Sequence, residues 1–360
     1  SDNGMFPPEF LGYHWYDQMD LGIALRYQFD WWGKQRYAIE AAVDRSRAIS
    51  AERQAATLML AAKVAESYFG WQNDSARIFL QEQSIAVQES LLKNVQRRIG
   101  AQLESADSAT EAVLQLSVQR EQLEVLKGSR RLRIVTLAAL AGVDVAALPQ
   151  LEVRPLPRAM TRLPDDVGTN LLARRPDITA SRWRVEAALR DTDVQRAYFY
   201  PDISINALAA LSAIDPGKLL RADSAAPRLG IAADLPLFDA GSRRARHQAS
   251  QAALDVAIAA YDSTITEAAR EAGAAAAALQ QADLQHRQRE QQLEAATTLV
   301  TAAQARVAAQ LTHAGPQLAA SLRELNARDA LLRVDFDALL ADIQLKHALG
   351  GDPAITEVPR

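Results

Sequence analysis

Proline is spread very unevenly along this chain, and that spread restricts the fold more than any other feature. After Pro8 the next proline is Pro149, and after Pro236 the next is Pro316. Both intervals are charged and rich in Ala, Leu and Gln, residues that lose little on entering a helix. Ala41 to Arg98 contains one glycine, Gly70, and Ser242 to Gln310 contains one, Gly273. A helix over about residues 33–98, or over about 242–309, runs roughly 100 Å at about 1.5 Å per residue. Such lengths predict bundles or coiled coils. The region 149–240 between them holds nine of the fourteen prolines. It reads as a linker over 149–166, a helix over about 167–200, then strands at about 202–211 and 228–238.

Composition narrows the function classes. Net charge is −4 with no basic stripe, which excludes general nucleic-acid binding. Cysteine is absent, so disulfides, thiolate nucleophiles and Cys-based metal sites are excluded. No apolar run is long enough for a membrane helix, but β-barrel strands carry a much weaker signal. There is no nucleophile elbow, P-loop, dinucleotide fingerprint or HExxH. The carboxylates are scattered along helical segments among Arg and Gln, as on solvated helix faces. The sequence therefore reads as a non-enzyme without a cofactor or metal site.

An internal repeat sets the architecture. Leu229-Gly230-Ile231-Ala232 lies 208 positions after Leu21-Gly22-Ile23-Ala24. The same offset pairs Gly33 with Gly241, Arg36 with Arg244 and Arg98 with Arg306. It pairs Ala101-Gln102-Leu103 with Ala309-Gln310-Leu311, then Arg120 with Arg328, Leu137 with Leu345 and Gly142 with Gly350. The first copy (1–148) reads as a strand at about 20–30, a helix at about 33–98, a tip at about 99–108 and a helix at about 109–142. The second (167–350) adds a tip at about 310–316 and a helix at about 317–349, before a tail over 351–360. Gly142 and Gly350 sit where a glycine C-terminal cap is expected. The second copy opens with a helix and strand that have no partner at the same offset in the first. The expectation is that the chain starts partway through its first repeat, and that the full-length protein carries at least about forty more N-terminal residues, by the offset of a quasi-repeated architecture.

The strands alternate. Leu21, Ile23, Leu25, Tyr27 and Phe29 share one face, and Gly22, Ala24, Arg26, Gln28 and Asp30 the other. Leu229, Ile231, Ala233, Leu235 and Leu237 repeat the pattern, as do Ile203, Ile205, Ala207 and Ala209. Two readings stand: a half-buried sheet over a core, or tilted membrane strands of about ten residues. The membrane reading requires several subunits to share one barrel, because three or four strands cannot close and an open edge cannot face lipid. Trp31 and Trp32 then fit either an interfacial anchor or packing at the strand–helix junction.

Three segments carry a family resemblance. Leu171-Leu172-Ala173-Arg174-Arg175-Pro176-Asp177-Ile178 resembles the LL-x-RRPDI signature of TolC/NodT-type outer-membrane factors. Gln195-Arg196-Ala197-Tyr198-Phe199-Tyr200-Pro201-Asp202-Ile203-Ser204 resembles their helix-to-strand junction. Leu235-Pro236-Leu237-Phe238-Asp239-Ala240-Gly241 resembles their LPIFDGG segment, with Phe29-Asp30-Trp31-Trp32-Gly33 as its first-repeat counterpart. Arg175, Pro176, Asp177, Pro201, Gly33 and Gly241 are thus structural junction residues.

The resemblance implies a homotrimer in outer-membrane lipid. Each subunit would give four strands to one twelve-stranded barrel and its helices to a periplasmic tunnel. An inner-membrane pump and a periplasmic adaptor would do the energised work, on drugs or other small toxic compounds. N-terminal lipidation, common in the family, concerns a segment outside this sequence. The family also places adaptor docking and the entrance at the two hairpin tips, here Gly100, Gln102, Leu103, Ser105 and Asp107, then Gln310, Leu311, Thr312, His313 and Gly315. Gln102 and Gln310 stand where the family's turn glycine is usual. Ala319 stands where related channels often carry a gate aspartate, which leaves Asp107 as the nearest acidic candidate. Arg26, Gln28, Asp30, Ser204, Asn206 and Asp234 would face the barrel lumen. Read without the family, the tips are solvated turns and the polar strand positions a solvated sheet face. The competing functions are a type I secretion exit channel, a periplasmic coiled-coil adaptor, which needs a lipoyl-like β domain, and a soluble helical scaffold.

Overall fold

The computed structural model describes residues 19–158, 174–213, 217, 219–225, 227–235 and 237–351. Strand β1 spans Met19–Phe29, helix α1 Lys34–Gly100, α2 Ala106–Ala141, α3 Pro176–Ala197, β2 Asp202–Ala213, β3 Arg228–Asp234, α4 Ser242–Ala308 and α5 Gly315–Ala348. Helices α1 and α4 are both 67 residues long. Both of their ends fall at the 208-residue offset, so the repeat seen in the sequence recurs in the elements. Four expected features lie outside the described residues: part of the linker, the helix segment 167–173, Pro236, and all of the tail after Gly351.

Three expected bounds differ from those observed. Helix α3 begins at Pro176 and not near residue 167, for Arg174 and Arg175 are not helical and the ring of Pro176 disfavours helical backbone in the residue before it. Helix α3 stops at Ala197, where an end near residue 200 is expected. Tyr200 precedes Pro201, whose ring disfavours helical backbone in the residue before it. Phe199 and Tyr200 instead donate to the Arg196 and Ala197 carbonyls in a tight turn (3.2 and 3.1 Å). Strand β3 stops at Asp234, short of 238. Its last partner is Asp202, and the next residue of that partner strand is Pro201, which has no N–H to give a ladder.

The chain forms two compact units. One comprises the chain up to Arg47 and Trp183–Ala259. In it β1 pairs antiparallel with β2, and β2 antiparallel with β3, in the order β1-β2-β3. The sheet passes into α1 and α4 through glycines in the left-handed region, Gly33 (φ 74°) and Gly241 (φ 85°). Pro201 opens β2. The opening of α1 is tied to α3 by Arg190–Glu40 (3.1 Å) and by Arg45–Asp191, and the Arg47 guanidinium lies over the Trp183 ring.

The other unit comprises Ala48–Arg182 and the chain from Ala260 onward, and is built from antiparallel helical hairpins. Buried residues of α4 follow a four–three spacing: Ala268, Ala272, Ala275, Leu279 and Ala282, then Ala296, Val300 and Ala303. In α2 the seam includes Ala112, Leu116 and Leu126. A seven-residue apolar period keeps a narrow seam facing its partner only if the helices supercoil left-handedly. Alanine dominates the seam of α4, so backbones approach closely and little apolar area is buried per contact. The clusters are small: Ala275 and Leu279 with Ala341 and Leu345, and Val300 and Ala303 with Ala320. Polar side chains supply further cross-ties. Gln81 and Gln88 donate to the carbonyls of Gln119 (2.9 Å) and Ala112 (3.3 Å), Ser129 donates to Asp74 (2.7 Å), and Arg77 pairs with Asp329 (2.7 Å).

Candidate functional site

Three regions hold the residues singled out in the sequence: the sheet, the junction around Arg175, and the two hairpin tips.

On the sheet, register decides which side chains share a face. Tyr27 lies opposite Ile205, which lies opposite Ile231. Leu25, Ala207 and Leu229 form the next such row, and Phe29, Ile203 and Ala233 another. The intervening rows are Arg26–Asn206–Gly230 and Gln28–Ser204–Ala232. The two faces therefore differ across all three strands. The apolar one is open: Ile23 is 80% exposed, Leu229 78% and Ile231 77%. A contiguous apolar surface of this kind belongs against hydrocarbon or protein, not water. Asp234 lies at the end of β3 opposite Asp202, whose carboxylate takes a salt bridge from Lys34 (2.8 Å). No described helix is long and apolar enough to cross a membrane.

Asp30 differs from the lumen position expected of it. It follows the last residue of β1, and its two carboxylate oxygens accept from the backbone N–H groups of Gln35 (2.9 Å) and Arg36 (2.8 Å) in the first turn of α1. Asp239 does the same for α4, accepting from the N–H of Arg243 (3.0 Å) and from its Nε (2.8 Å). Both carboxylates satisfy orphan donors and sit at the positive end of a helix dipole. The sequence reading quoted Asp239 within the 235–241 segment but gave it no role. The signal was present: an acidic residue two or three positions before a glycine that opens a helix. The two tryptophans divide. Trp32 stacks on Tyr200 (4.5 Å between centroids) and donates to the Pro201 carbonyl (3.1 Å), whereas Trp31 stays exposed on the Phe29 side.

Arg175 is the hub of the helical unit. Its guanidinium, 5% exposed, makes a two-pronged contact with Asp177 (3.1 and 2.7 Å), a bond to Glu271 of α4 (2.9 Å) and one to the Ala348 carbonyl of α5 (3.0 Å). Pro176 is the first residue of α3, where its missing N–H costs nothing. Burial opposes the charge on Asp177, but the Arg175 hydrogen bonds outweigh it and hold the carboxyl below its ordinary range.

At each tip a long helix ends the same way. Gln102 donates to the Ile99 carbonyl (2.9 Å) and Leu103 to that of Arg98 (2.9 Å). Gln310 donates to Val307 (2.9 Å) and Leu311 to Arg306 (2.9 Å). This is the doubly bonded left-handed cap, with Gln102 at φ 56° and Gln310 at φ 57°. Gly100 is the last residue of α1. Ser105 is the cap residue of α2 but makes no side-chain capping bond, and Asp107 lies in that helix's first turn, exposed. Glu104, missed in the sequence, accepts from Arg98 (2.8 Å) and Ser108 (3.2 Å), and the Arg98 bond holds its carboxyl below the usual range. In the second tip Thr312 is half-buried, and His313 Nδ1 accepts from the Gly315 N–H (3.0 Å) at the start of α5. A Cβ at Gly315 would come within 2.5 Å of the His313 ring. Ala319, a half-buried residue of α5, offers no charge.

Residues 3–143 and 167–351 match the family described as outer membrane efflux protein. The chain belongs to the outer membrane efflux protein family. Among its relatives, the multidrug resistance outer membrane protein MdtQ of Escherichia coli is 31% identical over 339 residues, covering 94% of this chain and 70% of its own. The multidrug resistance outer membrane protein MdtP of Shigella flexneri is 30% identical over 337 residues, covering 94% and 69%. The outer membrane protein VceC of Vibrio cholerae superposes with a TM-score of 0.83 at 28% identity, over 94% of this chain and 81% of its own. The outer-membrane channel OprN gives 0.85 at 23%, over 94% and 76%, a likeness of fold alone.

Proposed function

We infer that this family member is the outer-membrane channel subunit of a multidrug efflux system, a passive exit duct for drugs or other small toxic compounds. The observation that carries the reading is the two-faced sheet. Exposed Leu25, Tyr27, Leu229 and Ile231 form one side, and Arg26, Gln28, Ser204 and Asn206 are placed on the other. A strand set with an apolar exterior and a polar reverse is what a barrel wall needs. The multidrug names of the MdtQ and MdtP relatives support the same reading. A homotrimer supplies the missing closure, since both edges of the three described strands need partners in lipid. The work is done by shape, lumen charge and docking, without chemistry. The hairpin tips, with Gly100, Gln102, Leu103, Ser105, Asp107, Gln310, Leu311, Thr312, His313 and Gly315, form the entrance and meet a periplasmic adaptor and inner-membrane pump. The adaptor alternative lacks support from the sheet, because an adaptor needs no apolar strand face.

The test is to purify the protein in detergent, weigh the particle and record conductance in a planar bilayer. A trimer that conducts supports the duct. A monomer that stays soluble without detergent and is silent in the bilayer overturns it.

A further inference from the structure

Helices α4 and α5 grip each other through small side chains. One cluster sets Ala275 and Leu279 against Ala341 and Leu345, and another sets Val300 and Ala303 against Ala320. Between the two, the buried residues of α4 are both alanines, Ala282 and Ala296, which hide little apolar area each. In that interval the chain places a charged contact. His286 Nδ1 lies 2.6 Å from Oδ1 of Asp335 on α5, and its Nε2 lies 3.0 Å from Oε1 of Glu290, one turn further along α4. Among the described histidines, His286 is the one with a carboxylate oxygen at both ring nitrogens.

An imidazole satisfies two acceptors in only one of its forms. Neutral, it has one N–H and one lone pair, and protonated it donates from both nitrogens. With the proton, His286 gives each carboxylate a hydrogen bond between opposite charges, the strong kind. Without it, one nitrogen turns a lone pair towards an anionic oxygen at hydrogen-bond distance, and one contact must open. Glu290 has the more exposed side chain of the two acids (52% against 36%) and hangs from the same helix as the ring, so it is the one free to swing away. The bond left to Asp335 then no longer joins opposite charges.

The surrounding charges are engaged elsewhere. On α4, Asp283 pairs with Arg287, and Arg289 donates to Gln292. On α5, Arg328 pairs with Glu324, and Asp329 takes Arg333 and also Arg77 of α1. Asp335 borders a cavity whose walls from α1 and the stretch after α2 include Phe79, Leu80, Val153 and Pro155. The charged group there, Arg154, is bonded to Glu152. Asp337, two residues beyond Asp335, titrates on its own account: desolvation holds its carboxyl above the ordinary range, against the pull of Arg333 and Arg77.

We propose that His286 is a pH-operated tie between α4 and α5, tightened when the ring takes up a proton and slackened when it loses it. This hairpin therefore stiffens as its surroundings acidify through the range in which histidine changes charge, about pH 8 to 5.

The experiment is hydrogen exchange of the full-length protein in detergent, read by mass spectrometry at about pH 5.5 and about pH 8. Wild type is compared with His286→Gln and Glu290→Gln at the same pH, which cancels the chemical dependence of exchange on pH. Particle mass is the folding control. Gln at 286 does not titrate. Gln at 290 can give a neutral ring an N–H, so the ring keeps both contacts after losing its proton. At low pH, α5 peptides spanning Asp335 should exchange about tenfold more slowly in wild type than in His286→Gln, and at high pH within about twofold. Glu290→Gln should be less protected than wild type at low pH and at least as protected at high pH. A wild-type to His286→Gln ratio that is the same at both pH values, or larger at high pH, overturns the proposal. Asp337→Asn separates the neighbouring acid: the pH dependence of the ratio should survive it, and its disappearance would give the switch to Asp337 instead. Should His286→Gln fail to assemble, Glu290→Gln decides alone, and protection below wild type at both pH values overturns the tie.

Discussion

The guanidinium of Arg175 donates a 3.0 Å hydrogen bond to the carbonyl oxygen of Ala348, the last residue of α5. A helix leaves its final carbonyls without partners, and a buried cation at that end satisfies one and opposes the helix dipole. The same group holds Asp177 and Glu271, so one side chain joins the start of α3 to α4 and α5.

Removing that hub strands three acceptors. Arg175→Ala is expected to cost about 3 kcal/mol, the scale for a buried cation lost from its partners. Arg175→Lys should recover less than half, because an ammonium cannot reproduce the fork that meets Asp177 at two points. Chemical denaturation of the detergent-solubilised protein reads both. Equal stability of the lysine variant and wild type would count against the fork geometry.

The same junction gives a pH dependence. Asp177 has its carboxyl depressed on folding, net of burial, by Arg175. A depressed carboxylate stabilises the fold fully above its unfolded pKa of about 4, and that share is lost as pH falls from there through the folded value. Asp177→Asn should therefore be less stable than wild type at pH 7 by about 1 kcal/mol, a figure discounted for partial exposure. The gap should narrow below about pH 4. Denaturation midpoints at pH 7 and pH 3.5 test the sign.

The caps of the two long helices make a matched pair. Asp30→Ala and Asp239→Ala should each cost about 1 kcal/mol, the usual loss on deleting an N-terminal capping acceptor. Asn at either site should retain most of that. If Asp30 served the lumen instead, Asp30→Asn would shift ion selectivity and leave stability alone, so paired melting and conductance records separate the two roles.

Adjacent residues on β1 face opposite demands. Leu25→Lys puts a charge on the exposed apolar face, which near the middle of a bilayer costs about 2–4 kcal/mol. Trimer yield in the outer membrane should fall sharply. Arg26→Ala, one residue on and on the other face, should assemble normally and change cation-to-anion permeability. Equal tolerance of both changes would contradict a lipid-facing sheet.

The long helices were legible because proline and glycine are absent where they would break them, and the repeat was legible because its offset never slips. Both helices end at that offset in the structure. Strand faces were legible from a period of two, and the three-strand register then aligned Tyr27, Ile205 and Ile231, which no single strand could reveal. What escaped was chemistry that depends on non-local partners. Asp30 alternates correctly with Phe29 and so looks like a strand residue. Only the turn through Gly33 brings its carboxylate over the first turn of α1. Glu104 and Arg98 lie six residues apart, a spacing with no meaning until a left-handed turn folds them together. The seam of α4 was obscured by alanine, which favours helix on every face and marks none.

Gln72 shows how a single residue can hold a segment that has no regular structure. It is among the largest fully buried side chains, at 2% exposure. Its amide nitrogen donates to the Glu152 carbonyl (2.9 Å) and to the Tyr68 hydroxyl (2.9 Å), and its oxygen accepts from the Arg154 N–H (2.7 Å). The pattern copies one rung of a β-ladder and ties the stretch after α2 onto the middle of α1. Gln72→Glu keeps the shape but exchanges a donor for an acceptor, so a carboxylate oxygen faces the Glu152 carbonyl in a buried site. Gln72→Met keeps the volume and leaves both main-chain groups unpaired. Either change should cost about 2–3 kcal/mol, the scale for buried polar groups left without partners. The sharper readout is local. Hydrogen exchange at the Arg154 amide should accelerate by at least about tenfold in both variants, because every 1.4 kcal/mol of lost local protection is a factor of ten in opening. Amides of α2 should keep their wild-type rates. An Arg154 amide that exchanges no faster in the variants would show that the segment is held by something other than this rung.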